Sequence, residues 1–153
     1  MIKTVNSMLN PIAGRHLIAG KWLEGEPGFE SRSPHNGDER VGTFPAGAAE
    51  TAQAAGAAAR QAFTAWRRMS RIHRAEYFDR LARLIERDTM HLATLMAREC
   101  GKNITECRAE VVEGLHMVQY VFGTGRMPTG HTVASEIPEK DAYVLRKPWG
   151  VVA

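Results

Sequence analysis

The feature that most constrains this chain is a run of helical periodicity from Ala48 to Phe122, close to half of the 153 residues. Ala52, Ala55, Ala59, Ala62, Phe63 and Trp66 recur every three or four positions, which predicts a helix over 48–66 with a small-residue face. A second helix is predicted from Arg71, with Phe78, Leu81, Ala82 and Ile85 on one face, and with Glu76–Arg80 and Asp79–Arg83 as i,i+4 pairs on its exposed side. Asp88 is expected to cap a continuation carrying Leu92, Leu95 and Met96, which Gly101 ends. Asn103 to Phe122 forms a third long helix with Val111, Val112, Leu115, Val118 and Phe122 on its apolar face, and Gly123, Gly125 and Pro128 stop it.

Short strands flank this block. HLIAGKWLEGE predicts two strands around Ala19-Gly20, and FESRS with ERVGTFPAG a second pair around Pro34–Gly37, where Asn36-Gly37 is a tight-turn signal. After the helices, Thr132–Ile137 and Ala142–Lys147 alternate around Pro138–Asp141 as a hairpin with half-exposed strands. The last residues, KPWGVVA, read as a chain entering a buried strand. The fold class is therefore α/β, with helices packed on short strands.

Composition narrows the function classes. The chain is 44 % hydrophobic and 24 % charged, and its net charge of +3 is too small to argue for nucleic acid without a localised patch. No run of about 18 apolar residues is present to span a membrane, and MIKTVNSMLNPIAGRHL shows no signal-peptide pattern. Cys100 and Cys107 have neither metal nor redox spacing, which fits a reducing compartment and a cytoplasmic location.

Four local patterns invite chemistry. Glu113-x-x-His116 with Asp88-x-x-His91 has the spacing of half a di-metal carboxylate site, but the Ala-rich helix offers only Glu50 as a further ligand. Gly123-Thr-Gly125 follows a helix and precedes a hairpin, the wrong context for a dinucleotide loop. The arginines of Trp66–Arg74 fit a helix connection in which cations complement a helix C-terminus, with phosphate binding as the alternative. Cys100 has Lys102 nearby but no acid or histidine at partner spacing. The residues by themselves show no self-sufficient active site.

Seven phrases in collinear order carry a resemblance: Ile18–Trp22 (IAGKW), Phe29–Gly37 (FESRSPHNG), Ala58–Phe63 with Trp66, His73-Arg74, Leu81–Arg87, Glu99–Lys102 (ECGK) and Arg146–Val152 (RKPWGVV). Together they resemble the N-terminal portion of the NAD(P)-dependent aldehyde dehydrogenases, from about Arg15 to the C-terminus. The chain departs from the family at Ser33-Pro34, where Asn-Pro is usual, and at Gly101-Lys102-Asn103, where Gly-Lys-Pro is usual.

The resemblance implies a tail over 1–15 and an N-terminal part of an incomplete Rossmann-like cofactor domain over 16–130. It also implies an oligomerisation hairpin over 131–147 and the start of a nucleotide-binding sheet over 148–153. The complete enzyme would use NAD or NADP to oxidise an aldehyde, as a homo-oligomer paired through the 131–147 hairpin. The family's catalytic and nucleotide-binding residues belong to later segments, so none is carried over, and this piece is expected to bind no nucleotide and to be inactive. Two kinds of site residue do carry over: Ser31, Arg32 and Glu99 for a monovalent cation, Na⁺ or K⁺, and Glu113 and Met117 for the border of the substrate tunnel. A non-enzymatic interaction module and a small helical metal-binding protein stay open as alternatives.

Overall fold

The computed structural model describes residues 10–153. The first strands follow the turn chemistry of the sequence. β1 (Ile12–Ala13), β2 (His16–Ile18) and β3 (Lys21–Leu23) precede β4 (Pro27–Arg32) and β5 (Arg40–Pro45). β2 and β3 pair antiparallel around Ala19 and Gly20, both at positive φ, with Leu17 opposite Trp22. β4 pairs antiparallel with β5, placing Ser31 opposite Gly42, and β1 joins the far edge of β5 in parallel. β1 was not expected. It falls within the tail read over 1–15, of which residues 1–9 lie outside the described residues.

Four helices follow: α1 (Ala49–Trp66), α2 (Arg71–Arg87), α3 (Thr89–Cys100) and α4 (Ile104–Thr124). The sequence suggested three long helices, because 71–100 reads as one with a continuation. The chain breaks at Asp88, whose φ of −101° and ψ of 12° leave the helical region. Asp88 also does not cap α3 with its side chain, since its two carboxylate oxygens accept from Arg87 instead. Two other caps form. Asn103 Oδ1 accepts from the Thr105 amide at 2.8 Å, and Ser70 Oγ from Ile72. The Asp79–Arg83 pair forms at 2.9 Å, whereas Arg80 turns away from Glu76 to lie 4.4 Å from the centre of the Tyr77 ring.

α4 packs against both α2 and α3, and the tip of α3 reaches β4 and β5. Cys107, Val111 and Leu115 form the buried line of α4, one residue every four. Cys107 and Val111 meet Ala93 of α3, with Ile85, Leu92 and Met96 packed around them. On the other side, Ala75 and Ala82 of α2 are buried. Their small size lets the backbones approach, and at Gly125 an added Cβ would collide with the Ala75 methyl. α4 continues through Gly123 to Thr124, two residues beyond the expected end at Phe122.

α1 buries no residue. Its C-terminal end is held instead by α2: Arg74 Nη1 donates to the carbonyls of Trp66 and Met69 at 3.1 and 2.6 Å, and Trp66 meets Tyr77 edge to face. A guanidinium at a helix C-terminus satisfies carbonyls that lack intrahelical donors. The chain ends in the hairpin β6 (Gly130–Val133) and β7 (Ala142–Leu145), with Thr132 opposite Tyr143, followed by residues 146–153 without strand structure. Tyr143, Val144 and Leu145 are all exposed, so both faces of β7 meet solvent, and the Trp149 side chain is 99 % exposed.

Candidate functional site

The tip of α3 meets β4 and the β4–β5 loop at a polar junction. β4 carries Glu30, Ser31 and Arg32 in succession, and α3 ends Arg98-Glu99-Cys100. Gly101 terminates α3 at a φ of 69°, the left-handed conformation that glycine adopts without steric cost, and there the chain passes against Pro34. The β4–β5 loop is closed by its own backbone: Ser33 donates to the Glu39 carbonyl at 3.0 Å and Glu39 to the Asn36 carbonyl at 2.8 Å.

Two side-chain contacts fasten the helix to the loop. Arg98 Nε donates to Glu39 Oε1 at 2.5 Å, with the arginine side chain 7 % exposed. Ser31 Oγ donates to Glu99 Oε1 at 3.5 Å. The structure thus brings together two of the three residues expected at a cation site, 68 positions apart in sequence. Arg32 is committed elsewhere. Its Nε and Nη2 donate to Glu30 and its Nη1 to the Gly37 carbonyl. Glu30 also accepts from Arg40, and these two arginines hold its carboxyl below the usual glutamate range.

Glu113 and Met117 lie one turn apart on the exposed side of α4, away from the Val111–Leu115 line, and Tyr120 continues their stripe. Neither takes part in the contacts of the polar junction. An open, mostly apolar trough of about 490 Å³ lies between α2, α3 and α4, with Glu99 and Cys100 at one end and Glu110 across from them. Lys102 forms an ion pair with Glu110.

The two thiols differ in setting. Cys107 is fully enclosed, and burial pushes its thiol up, away from the reactive thiolate. Cys100 is exposed, and both are free of disulfides. Among the described residues, no three histidine, cysteine, aspartate or glutamate side chains gather as a metal site, so the Glu113/His116 and Asp88/His91 spacings do not converge. No helix among them is long and apolar enough to cross a membrane. The pair Arg98–Glu39 escaped the sequence reading, because it joins residues 59 apart with no local mark. Arg74 at the end of α1 fits the reading of the Trp66–Arg74 arginines as a helix connection with cations at a helix C-terminus.

The sequence model of the aldehyde dehydrogenase family matches residues 22–153. The chain belongs to the aldehyde dehydrogenase family. It is 29 % identical over 139 residues to the α-ketoglutaric semialdehyde dehydrogenase of Bacillus subtilis, covering 90 % of this chain and 28 % of that protein. It is 35 % identical over 138 residues to the N-succinylglutamate 5-semialdehyde dehydrogenase of Chromohalobacter salexigens, again covering 90 % and 28 %. The crystal structure of an NAD-dependent aldehyde dehydrogenase from Sinorhizobium meliloti superposes with a TM-score of 0.80 at 32 % identity, over 90 % of this chain and 28 % of that one. A betaine aldehyde dehydrogenase from Staphylococcus aureus, solved in complex with NAD⁺, shares the fold with a TM-score of 0.82 at 24 % identity, over 95 % and 30 %. The chain therefore spans about 28 % of the length of the curated relatives it matches.

Proposed function

We propose that this aldehyde dehydrogenase-family chain is the N-terminal scaffold of an enzyme that oxidises an aldehyde to a carboxylic acid with NAD⁺ or NADP⁺ in the cytoplasm. In that reaction hydride leaves the aldehyde carbon for the nicotinamide, and water supplies the second oxygen of the acid. The supporting observation is the family match over residues 22–153 together with a fold shared along the same span. The relatives' named substrates differ from one another, from betaine aldehyde to dicarboxylic semialdehydes, so the proposal stops at the aldehyde.

Within this scaffold, the backbone at Ser31 and Arg32, the end of β4, and the carboxylate of Glu99 hold Na⁺ or K⁺, a hard ion suited to oxygen ligands. Glu113 and Met117 border the substrate path, and the 131–147 hairpin pairs copies of the subunit through its exposed strands. The 153 residues alone neither bind the nucleotide nor turn over aldehyde: Cys107 is enclosed, and among the described residues no hydrogen bond joins the Cys100 thiol to a base. The test is to incubate the purified chain with NAD⁺ or NADP⁺ and a panel of aldehydes while following absorbance of the reduced cofactor. No rise above a heat-inactivated sample is expected, and turnover above it would refute the reading.

A further inference from the structure

The β6–β7 hairpin carries opposite charge at its two ends. Its turn holds Glu136, Glu139 and Asp141 against one cation, Lys140, and all four are exposed. The turn is ordered by the Ile137 amide donating to Ser135 Oγ and the Lys140 amide to the Ile137 carbonyl, both at 3.1 Å. The base is closed by the Arg146 amide, which donates to the Thr129 carbonyl at 2.8 Å. There Arg146 and Lys147 join Arg67, Arg71 and Arg74 around an open cleft of about 420 Å³ that no aspartate or glutamate lines. Among the described residues, no ion pair engages the three acids of the turn or these five cations. Between the two ends, β7 pairs with β6 along one edge only, and Tyr143, Val144 and Leu145 are exposed.

An unpaired apolar edge is a template for another strand. Two copies of one strand that pair edge to edge about a two-fold axis run antiparallel, and every contact between them occurs twice. We propose that a second copy of this chain docks antiparallel along the free edge of β7, with its acidic turn against the basic base of the first hairpin. The four residues of β7 rise about 13 Å, with Asp141 just before them and Arg146 just after. Reversing the direction of the second strand therefore sets Asp141 of one copy at the end where Arg146 of the other stands. A lone exposed ion pair contributes little, but here several charges of each sign meet, and the acids relieve the mutual repulsion of the gathered cations. The inference rests on the reading that the hairpin pairs copies of the subunit, and adds the direction of pairing and the surface that receives the turn.

The test is sedimentation velocity of the 153-residue chain over a concentration series at low and high salt. A reversible dimer is expected, weakened by salt because exposed charges are screened. Reversing the base with Arg71→Glu, Arg146→Glu and Lys147→Glu sets acid against acid and loosens the dimer about tenfold or more. Reversing the turn with Glu136→Lys, Glu139→Lys and Asp141→Lys sets cation against cation and has the same effect. Both sets in one chain restore opposite charges at each contact and the parent's net charge of +3, and the dimer returns. Far-ultraviolet circular dichroism checks that each variant keeps its helices. A doubly reversed chain as weak as either single set overturns the proposal. A parent dimer indifferent to both single sets also overturns it, while leaving pairing through the hairpin in place. A parent that stays monomeric overturns both.

Discussion

Arg98 and Glu39 meet at 2.5 Å across the junction of α3 with the β4–β5 loop, 59 residues apart in the chain and nearly sealed from solvent. The guanidinium also keeps Nη1 buried without a hydrogen-bond partner. A buried charge that loses its counter-charge is costly, whereas replacing both charges with apolar groups often costs little. Glu39→Gln should therefore destabilise the fold by about 3–5 kcal/mol. Arg98→Met combined with Glu39→Leu should come close to the parent. Urea denaturation read by circular dichroism measures both. A double variant as unstable as the single one would show that the pair itself, and not the orphaned charge, matters.

Glu30 yields a pH prediction. Arg40 and Arg32 hold its carboxyl below the ordinary glutamate value of 4.5. A depressed folded-state value means that the ionised form is favoured by folding. The stabilisation is complete above the ordinary value and disappears as pH falls through the depressed one. The parent should thus lose stability below about pH 4.5 more steeply than Glu30→Gln, and added salt should shrink the difference because the group is exposed. Parallel acid titrations at two salt concentrations give the comparison. Identical acid limbs would remove Glu30 from the account.

The helical block was legible because period and caps agree locally. Ala52 to Trp66 marks α1, Asn103 starts α4, and Gly101 ends α3. The two early hairpins were legible from their turns. What escaped has no local signature. β1 is two residues long and borrows its register from β5, so alternation has nothing to act on. The break at Asp88 reflects competition: its carboxylate prefers the adjacent Arg87 fork over the free amides of α3. Ser31 and Glu99 were paired through a family resemblance, and the structure brings them to 3.5 Å. Arg98, next to Glu99, makes the tighter contact and was overlooked, because spacing in sequence says nothing about residues brought together by tertiary folding.

The two thiols should separate chemically. Cys107 sits at full enclosure beside Ala93 and Val111, and its thiol is pushed up by that burial, while Cys100 is exposed. A disulfide-exchange reagent attacks the thiolate. One equivalent should therefore react quickly in native buffer at neutral pH, and the second only after denaturant is added. Cys100→Ser should abolish the fast phase. Two fast equivalents in the native chain would show that the α3–α4 core opens readily.

Gly101 holds α3 at the angle that delivers Arg98 and Glu99 to the loop. An alanine there must adopt a φ of 69° and place its Cβ 3.3 Å from Pro34. The left-handed conformation alone costs a non-glycine residue about 1–2 kcal/mol. Gly101→Ala should lower stability by about that much, and Gly101→Asn by less, because asparagine tolerates this region. Thermal melts of the three chains rank them. If alanine melts at the glycine temperature, the turn has relaxed and the junction does not depend on it.

Glu99 then tests whether this junction takes a cation. Its carboxylate accepts from Ser31 Oγ at 3.5 Å, which sets the acid at the end of α3 beside strand β4. A bound ion stabilises the folded state in proportion to its occupancy. The melting temperature should rise with K⁺ or Na⁺ relative to a bulky organic cation at equal ionic strength. Glu99→Gln should remove the dependence while Glu113→Gln keeps it, since Glu113 lies on the outer side of α4. Equal ionic strength separates binding from screening, which all monovalent salts share. A rise that survives in Glu99→Gln would place the ion elsewhere, and no rise in the parent would leave Ser31 and Glu99 as a hydrogen-bonded brace between β4 and α3.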